Sequence, residues 1–222
     1  NFLSRTCVPC YNIFMETYTI IKDCQTEFTV ERSRFICNLK KVQDETEAQA
    51  FIKAVKKQYW DATHNCSAYL ISDSVQRSND DGEPSGTAGI PMLEVLRRQN
   101  VYGVAAVVTR YFGGVKLGAG GLVRAYTNSV AQAITFVGKA QRVPMGIYTF
   151  QTGNAIAGKL LHVLHAATLF TVTNVTYGER VTFPLRFPVQ DLPHVPAWML
   201  NHLQRPVDLE LTGTSLKEVP LT

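Results

Sequence analysis

A glycine-rich stretch between residues 110 and 124 carries the residue types best suited to binding an anion. Five glycines let backbone amides approach a ligand closely, and three cationic side chains lie among them. Where such a loop enters a helix, its N–H groups favour a phosphate. Two aromatic residues offer faces on which bases can stack. The ligand-binding candidates are Arg110, Tyr111, Phe112, Gly113, Gly114, Lys116, Gly118, Gly120, Gly121 and Arg124.

The spacing in this stretch excludes two well-known phosphate-binding motifs. Lys116 is followed by Leu117, whereas a P-loop requires Ser or Thr there. Val123 stands where the dinucleotide-binding fingerprint needs its third glycine. The glycines would serve equally well in a tight strand-to-helix crossing with close helix packing. From the residues alone, an anion-binding loop and a purely structural crossing both stay open.

A short acidic loop is the second cluster with chemical potential. It places three carboxylates within four residues, a density that could bind Mg²⁺ or pair with the basic glycine-rich stretch. The spacing does not fit an EF-hand, and the same residues are typical of a turn-rich loop. A nearby histidine could join them in acid–base chemistry. The candidates are His64, Asp80, Asp81, Glu83 and Ser85.

The elements that must position these two loops can be read from the hydrophobic pattern. Residues 103–109 form a short apolar run typical of a buried strand, and residues 122–137 have helical periodicity. The polar residues 72–89 predict one long loop. A helix is expected over residues 90–99, with Ser85 or Thr87 as the residue that caps its start. The glycine-rich stretch, residues 110–121, therefore joins a buried strand to a helix.

The rest of the chain predicts two domains. Earlier strands are expected at residues 17–21, 26–30, 34–42 and 66–71, with a helix at 45–59. Beyond residue 144 the predicted order is β-α-β-β-α-β, the ferredoxin-like pattern, with a helix capped by Asn154 and a long strand at 167–177. We expect domains at 15–143 and 144–222, after a non-native or disordered leader at 1–14.

Composition limits the class of protein. The 222 residues are 45% hydrophobic and 18% charged, which is a globular composition. Because no run of about 18 apolar residues occurs, no membrane span is expected. The net charge is +4, and its excess lies before Met145, since five basic and five acidic residues follow. Five cysteines without a paired framework favour a reducing, cytoplasmic setting.

Three segments together resemble the IMPACT/YigZ family. The first is an apolar strand followed by Arg110-Tyr-Phe-Gly-Gly-Val-Lys-Leu-Gly118, the second is DDGEPSGTAGIP at residues 80–91, and the third runs from His64 to Tyr69. The resemblance covers residues 16–142, and the remainder looks like the small second domain of the bacterial branch. It implies an α+β fold whose first domain is similar to the second domain of a ribosomal small-subunit protein. The second domain should be ferredoxin-like, similar to the last domains of elongation factor G.

The resemblance also suggests a function. The family's eukaryotic relatives regulate translation under amino-acid stress, although they carry a different partner domain. We therefore expect a translation-associated regulatory protein that binds RNA, such as tRNA, or the ribosome through the basic glycine-rich stretch. The alternatives are an enzyme acting on a small phosphorylated or nucleotide substrate and a protein-interaction module. The sequence favours a protein without catalytic activity and predicts no cofactor beyond Mg²⁺ at the acidic loop, and it leaves the oligomeric state open.

Overall fold

The structure, a computed structural model, describes residues 16–204 and 206–221. The leader expected at residues 1–14 lies outside the described residues. The described chain divides into two compact units, of which the second is Arg142–Val219 and the first comprises residues 16–141 together with Pro220 and Leu221. In the part of the chain that is described, no helix has the length and apolar character needed to span a bilayer.

The first unit is built on an antiparallel sheet with the strand order β2-β3-β6-β4-β5. Helices α2 and α3 pack on one face of this sheet, and helix α1 packs on the other. The strands are β1 Thr17–Ile20, β2 Cys24–Val30, β3 Ser33–Lys41, β4 His64–Leu70, β5 Gln76–Asn79 and β6 Val104–Tyr111. The helices are α1 Glu45–Gln58, α2 Gly89–Arg98 and α3 Gly118–Val137.

The central strand β6 is buried on both faces, which explains its continuous apolar sequence. Val104, Ala106 and Val108 pack in the larger core beneath α2 and α3, whereas Ala105 joins the smaller core beneath α1. Successive side chains of a strand point to opposite faces, so one strand supplies both cores.

Strand pairing brings the candidate loops to one end of this sheet. Tyr111 at the end of β6 lies opposite Arg34 near the start of β3, and Arg110 lies opposite His64 at the start of β4. The β2–β3 turn, the acidic loop and the starts of α2 and α3 are connected to this same end. The fold therefore gathers the two sequence clusters in one region.

Two expectations for the first unit were wrong in their boundaries. Residues 72–89 are not one loop, because strand β5 forms within them and pairs with β4. This pairing uses backbone hydrogen bonds, so it does not depend on apolar side chains. The helix expected from residue 122 begins at Gly118, so the connecting loop is much shorter than residues 110–121. Glycine is a poor helix former, so Gly118, Gly120 and Gly121 concealed the true start of the helix.

The second unit has the β-α-β-β-α-β order of a ferredoxin-like domain. Strand β9 pairs with both β7 and β8, and β10 pairs with β7. The elements are β7 Lys139–Thr152, which begins before the unit boundary, α4 Asn154–His165, β8 Thr171–Val172, β9 Val181–Pro188, α5 Val195–Leu203 and β10 Glu210–Pro220. Together with the first unit this gives an α+β fold.

Local details of the second unit differ from expectation. The strand expected at residues 167–177 is only the two-residue β8, and a single bridge joins Thr176 to Thr182. Asn154 does not cap α4, because Gly153 occupies that position without a side-chain bond. The Asn154 amide instead donates to the carbonyl oxygen of Gly178, at 3.2 Å.

Candidate functional site

Arg110, the cation expected to contact a ligand, is instead buried in the first unit. It is 5% exposed, and its Nη1 donates to Oε1 of Glu83 at 2.8 Å. The Glu83 side chain is 3% exposed, and the same oxygen accepts the Tyr126 hydroxyl at 2.8 Å. Nη2 of Arg110 donates to Oγ of Ser33 at 3.3 Å. The guanidinium thus connects the end of β6 to the acidic loop, to α3 and to β3.

Two aromatic rings flank the same guanidinium. Its central carbon lies 5.5 Å from the ring centre of Phe35 and 5.4 Å from that of Phe112. Both distances are within the range of a cation–π attraction. Phe112 is half-exposed, so one ring both packs on Arg110 and reaches the surface. Tyr111 is more fully engaged, because its hydroxyl donates to Asp61 at 2.9 Å and Arg34 lies 5.8 Å from its ring centre.

The Asp80 side chain binds backbone N–H groups at the start of helix α2, whose N-cap residue is Ala88. Its carboxylate accepts the backbone N–H groups of Gly86, Ala88 and Gly89 at distances of 2.7–3.0 Å. Burial acts to raise the pKa of Asp80, but these three hydrogen bonds outweigh it and lower the pKa below its ordinary value. The expected cap from Ser85 or Thr87 was wrong. Ser85 is exposed, and the Thr87 hydroxyl donates to the Pro84 carbonyl.

Asp81 and His64 brace the acidic loop against strand β4. One carboxylate oxygen of Asp81 contacts Nζ of Lys56 at 2.6 Å, and the other accepts the N–H of Asn65 at 2.7 Å. The Asp81 carbonyl accepts from Nδ1 of His64 at 2.9 Å, which places a proton on Nδ1. Nε2 of His64 lies 3.8 Å from the Glu83 carboxylate. His64, the acidic loop and Arg110 therefore do converge.

This convergence does not produce an open acid–base site. Glu83 and Arg110 are buried, and the His64 Nδ1–H is taken by a backbone carbonyl. Within residues 16–204 and 206–221, no three metal-ligating side chains group together, so Asp80, Asp81 and Glu83 do not share one point. Cys66 is also poorly suited to nucleophilic attack, because burial raises the pKa of its thiol to about 12.

The glycines of the glycine-rich stretch differ in what the structure requires of them. At Gly113 an added Cβ would lie 2.0 Å from the backbone carbon of Arg32, so this glycine permits a close crossing over the β2–β3 turn. Gly114 and Gly118 have positive φ angles of 84° and 67°, which other residues rarely adopt. At Gly120 nothing lies within 4 Å of the added position, so packing does not require a glycine there.

Beside the start of α3 lies an open groove of about 430 Å³, which we name the α3 groove. Its two cations, Lys116 and Arg124, have no ion-pair partner among the described residues, and no side chain caps the first N–H groups of the helix. Such N–H groups carry a partial positive charge. The lining includes Phe28, Glu31, Lys116, Leu117, Gly121, Arg124 and Asn128.

Sequence reasoning missed one prominent surface residue. Trp60, in the turn after α1, is 82% exposed. The turn is held by hydrogen bonds from Ala62 N–H to the Tyr59 carbonyl and from Thr63 N–H to the Arg110 carbonyl. Trp60 follows a helix whose periodicity ends at Tyr59, and this break in the pattern was the available signal.

Comparisons with known proteins agree with the motifs. The family model of the Impact N-terminal domain matches residues 31–134. IMPACT family member YvyE of Bacillus subtilis is 45% identical over 83% of this chain and 86% of that protein. IMPACT family member YigZ of Escherichia coli is 42% identical over 55% of this chain and 62% of that protein.

A solved structure, described as that of a hypothetical protein, is similar over nearly its whole length. It aligns with a TM-score of 0.58 and 28% identity, covering 90% of this chain and 99% of that one. The fold and the sequence thus agree over both units, and 45% identity over most of a family member's length is decisive. This chain belongs to the IMPACT family.

Proposed function

We propose that this protein is a translation-associated regulator that binds RNA or the ribosome through the α3 groove. The translational role rests on membership of the IMPACT family, whose eukaryotic relatives regulate translation. The binding role rests on the groove itself. Among the residues that the structure describes, Lys116 and Arg124 have no ion-pair partner, and they lie beside the uncapped first turn of α3. Cations and free backbone N–H groups of this kind are the groups that bind nucleic-acid phosphates.

The proposed contacts form a smaller set than the sequence suggested. Lys116, Arg124 and the N–H groups of Gly118 and Gly120 would meet phosphates. Phe112, which is half-exposed, would stack on a base. Arg110 holds these groups in place rather than touching RNA, because its guanidinium is committed to Glu83 and Ser33.

Two loop features support a preformed site. Gly113 lets the loop cross the β2–β3 turn closely, and its N–H donates to Oγ of Ser33 at 3.2 Å. The Phe112 N–H donates to Oγ1 of Thr63 at 3.0 Å. The loop is therefore anchored at its beginning, before it reaches Lys116. Anchoring of this kind reduces the ordering cost of binding.

The test is binding of labelled tRNA and ribosomal RNA fragments at low salt, measured by fluorescence anisotropy. We expect the Lys116→Ala/Arg124→Ala variant to bind at least tenfold more weakly, since each lost contact to a charged group costs about 1.5–3 kcal/mol. A control variant, Lys57→Ala/Arg98→Ala, removes the same charge from exposed helical positions outside the groove. Absence of binding by the unaltered protein, or equal weakening in the control, would overturn the proposal.

Trp60 favours a second candidate function, docking of a protein partner. A tryptophan that is 82% exposed on a hydrogen-bonded turn resembles the aromatic anchors of protein interfaces. On this interpretation the turn acts separately from the α3 groove. The substitution Trp60→Ala would then leave RNA affinity unchanged.

A further inference from the structure

A second groove lies on the face of the first unit's sheet that carries α1. It has a volume of about 500 Å³ and runs between α1 and the edge strand β5, and we name it the α1–β5 groove. Helix α1 contributes Lys53 and Lys56 to its lining, β5 contributes Arg77, and β4 contributes Ser67 and Tyr69. None of these residues lines the α3 groove, so the two grooves are separate.

The charges of this groove are only partly neutralised. Lys56 is fixed by Asp81 at 2.6 Å, whereas Lys53 has no ion-pair partner among the described residues. Arg77 lies 3.9 Å from the Glu45 carboxylate and is 70% exposed. At such exposure an ion pair is weak and readily exchanged. The Glu45 carboxylate is already engaged, because it accepts the Tyr69 hydroxyl.

The same groove is lined by a hydroxyl group that has no partner among the described residues. Ser67 is 4% exposed and lines the groove, yet its hydroxyl forms no hydrogen bond within the described part of the chain. The hydroxyl oxygen is not among the fully buried polar atoms that lack a partner in the described chain, so it remains accessible to a ligand. A ligand oxygen in the groove would accept from this hydroxyl while the cations balance its charge.

We propose that the α1–β5 groove binds a small phosphorylated molecule of about nucleotide size through its phosphate group. The volume lies within the usual range for small-molecule sites. A polynucleotide is usually met by a stripe of cations. Here three cations from two elements line one small groove together with an accessible hydroxyl, which suits a single phosphate better than a strand.

The test is isothermal titration calorimetry with inorganic pyrophosphate, AMP and GMP at low salt. The variant Lys53→Ala/Arg77→Ala changes exposed side chains and leaves the Lys56–Asp81 pair intact. We expect this variant to bind at least tenfold more weakly to whichever of the three probes the unaltered protein binds. The reason is that each contact between charged groups typically contributes about tenfold or more to affinity. Ser67→Ala should weaken binding less and should keep its unfolding midpoint.

Two control variants locate the site. The variant Lys57→Ala/Arg98→Ala removes an equal charge from positions outside the groove. The variant Lys116→Ala/Arg124→Ala removes the cations of the α3 groove. We expect both variants to keep full affinity for the probe. Binding of none of the three probes would overturn the proposal, as would equal weakening in either control. Binding of an oligoribonucleotide but of no small probe would also overturn it. Each of these outcomes is independent of whether the α3 groove binds RNA.

Discussion

Glu83 and Arg110, 27 residues apart in the chain, form a buried ion pair with 2.8 Å between Oε1 and Nη1. The pair fixes the acidic loop to the end of the central strand β6. The location of the pair also changes the interpretation of the sequence motif. Arg110, the most prominent cation of the glycine-rich stretch, is buried and holds the surrounding loops in place. Removing one charge of a buried pair leaves the other uncompensated.

We therefore predict that Arg110→Ala and Glu83→Ala each lower the free energy of unfolding by about 3–5 kcal/mol. The measurement is urea unfolding followed by circular dichroism. A double-mutant cycle should show that the two losses are far from additive, since each single change already breaks the same pair. Losses below about 1 kcal/mol for both single variants would show that the pair does not organise the loop.

The carboxylate of Asp80 at the start of α2 predicts a pH dependence. The folded pKa of Asp80 lies below its ordinary value because three backbone N–H groups bind its carboxylate, which outweighs the opposing effect of burial. A lowered folded pKa contributes stability above the unfolded value of about 3.9, and this stability is lost as the pH falls through the folded pKa. The variant Asp80→Asn should therefore be less stable than the unaltered protein at pH 7, and the difference should shrink below about pH 4. A difference that stays constant down to pH 3 would contradict the assignment.

Two glycines of the same stretch should respond oppositely to alanine. Gly113→Ala would place a methyl group 2.0 Å from the Arg32 backbone, and we expect it to lower the free energy of unfolding by about 1–3 kcal/mol or more. Gly120→Ala has open space inside a helix, so we expect a gain of about 0.4–1 kcal/mol. Thermal unfolding of both variants side by side is the measurement. Similar effects of the two changes would argue against a close crossing at Gly113.

The exposed tryptophan separates the two candidate functions. Trp60→Ala should change the free energy of unfolding by less than about 0.5 kcal/mol, because the side chain is mostly in solvent. Protein docking predicts that RNA affinity is unchanged in this variant. A loss of tenfold or more in anisotropy titrations would instead assign Trp60 to the RNA-binding surface and remove the support for a docking role.

Much of the fold could be predicted because its signals are local. The periodicity of α1 and α3, the apolar run of β6 and the β-α-β-β-α-β order of the second unit all follow from spacing. Strand β5 could not be predicted in this way, since it is held by backbone pairing with β4 and its side chains are polar. The start of α3 was misplaced because glycine is a poor helix former away from the first turn.

The residue types of the candidate site could be predicted from the sequence, but the role of each residue could not. Residue types identified the acidic and glycine-rich loops, and strand pairing does bring them together. The depth of a side chain depends on long-range packing, so Arg110 could not be recognised as buried between Phe35 and Phe112. The role of Asp80 at the start of α2 was hidden for a related reason, because it lies nine residues before Gly89, whose N–H it accepts.

The most direct test of the central claim is the salt dependence of RNA binding. The probe is a single-stranded ribosomal RNA fragment, for which the slope of log Kobs against log salt is about −0.7 for each phosphate contacted. Loss of two cations in Lys116→Ala/Arg124→Ala should therefore make the slope shallower by about 1.4, while Lys57→Ala/Arg98→Ala leaves it unchanged. Identical slopes for the unaltered protein and the groove variant would contradict the claim that Lys116 and Arg124 bind the RNA backbone.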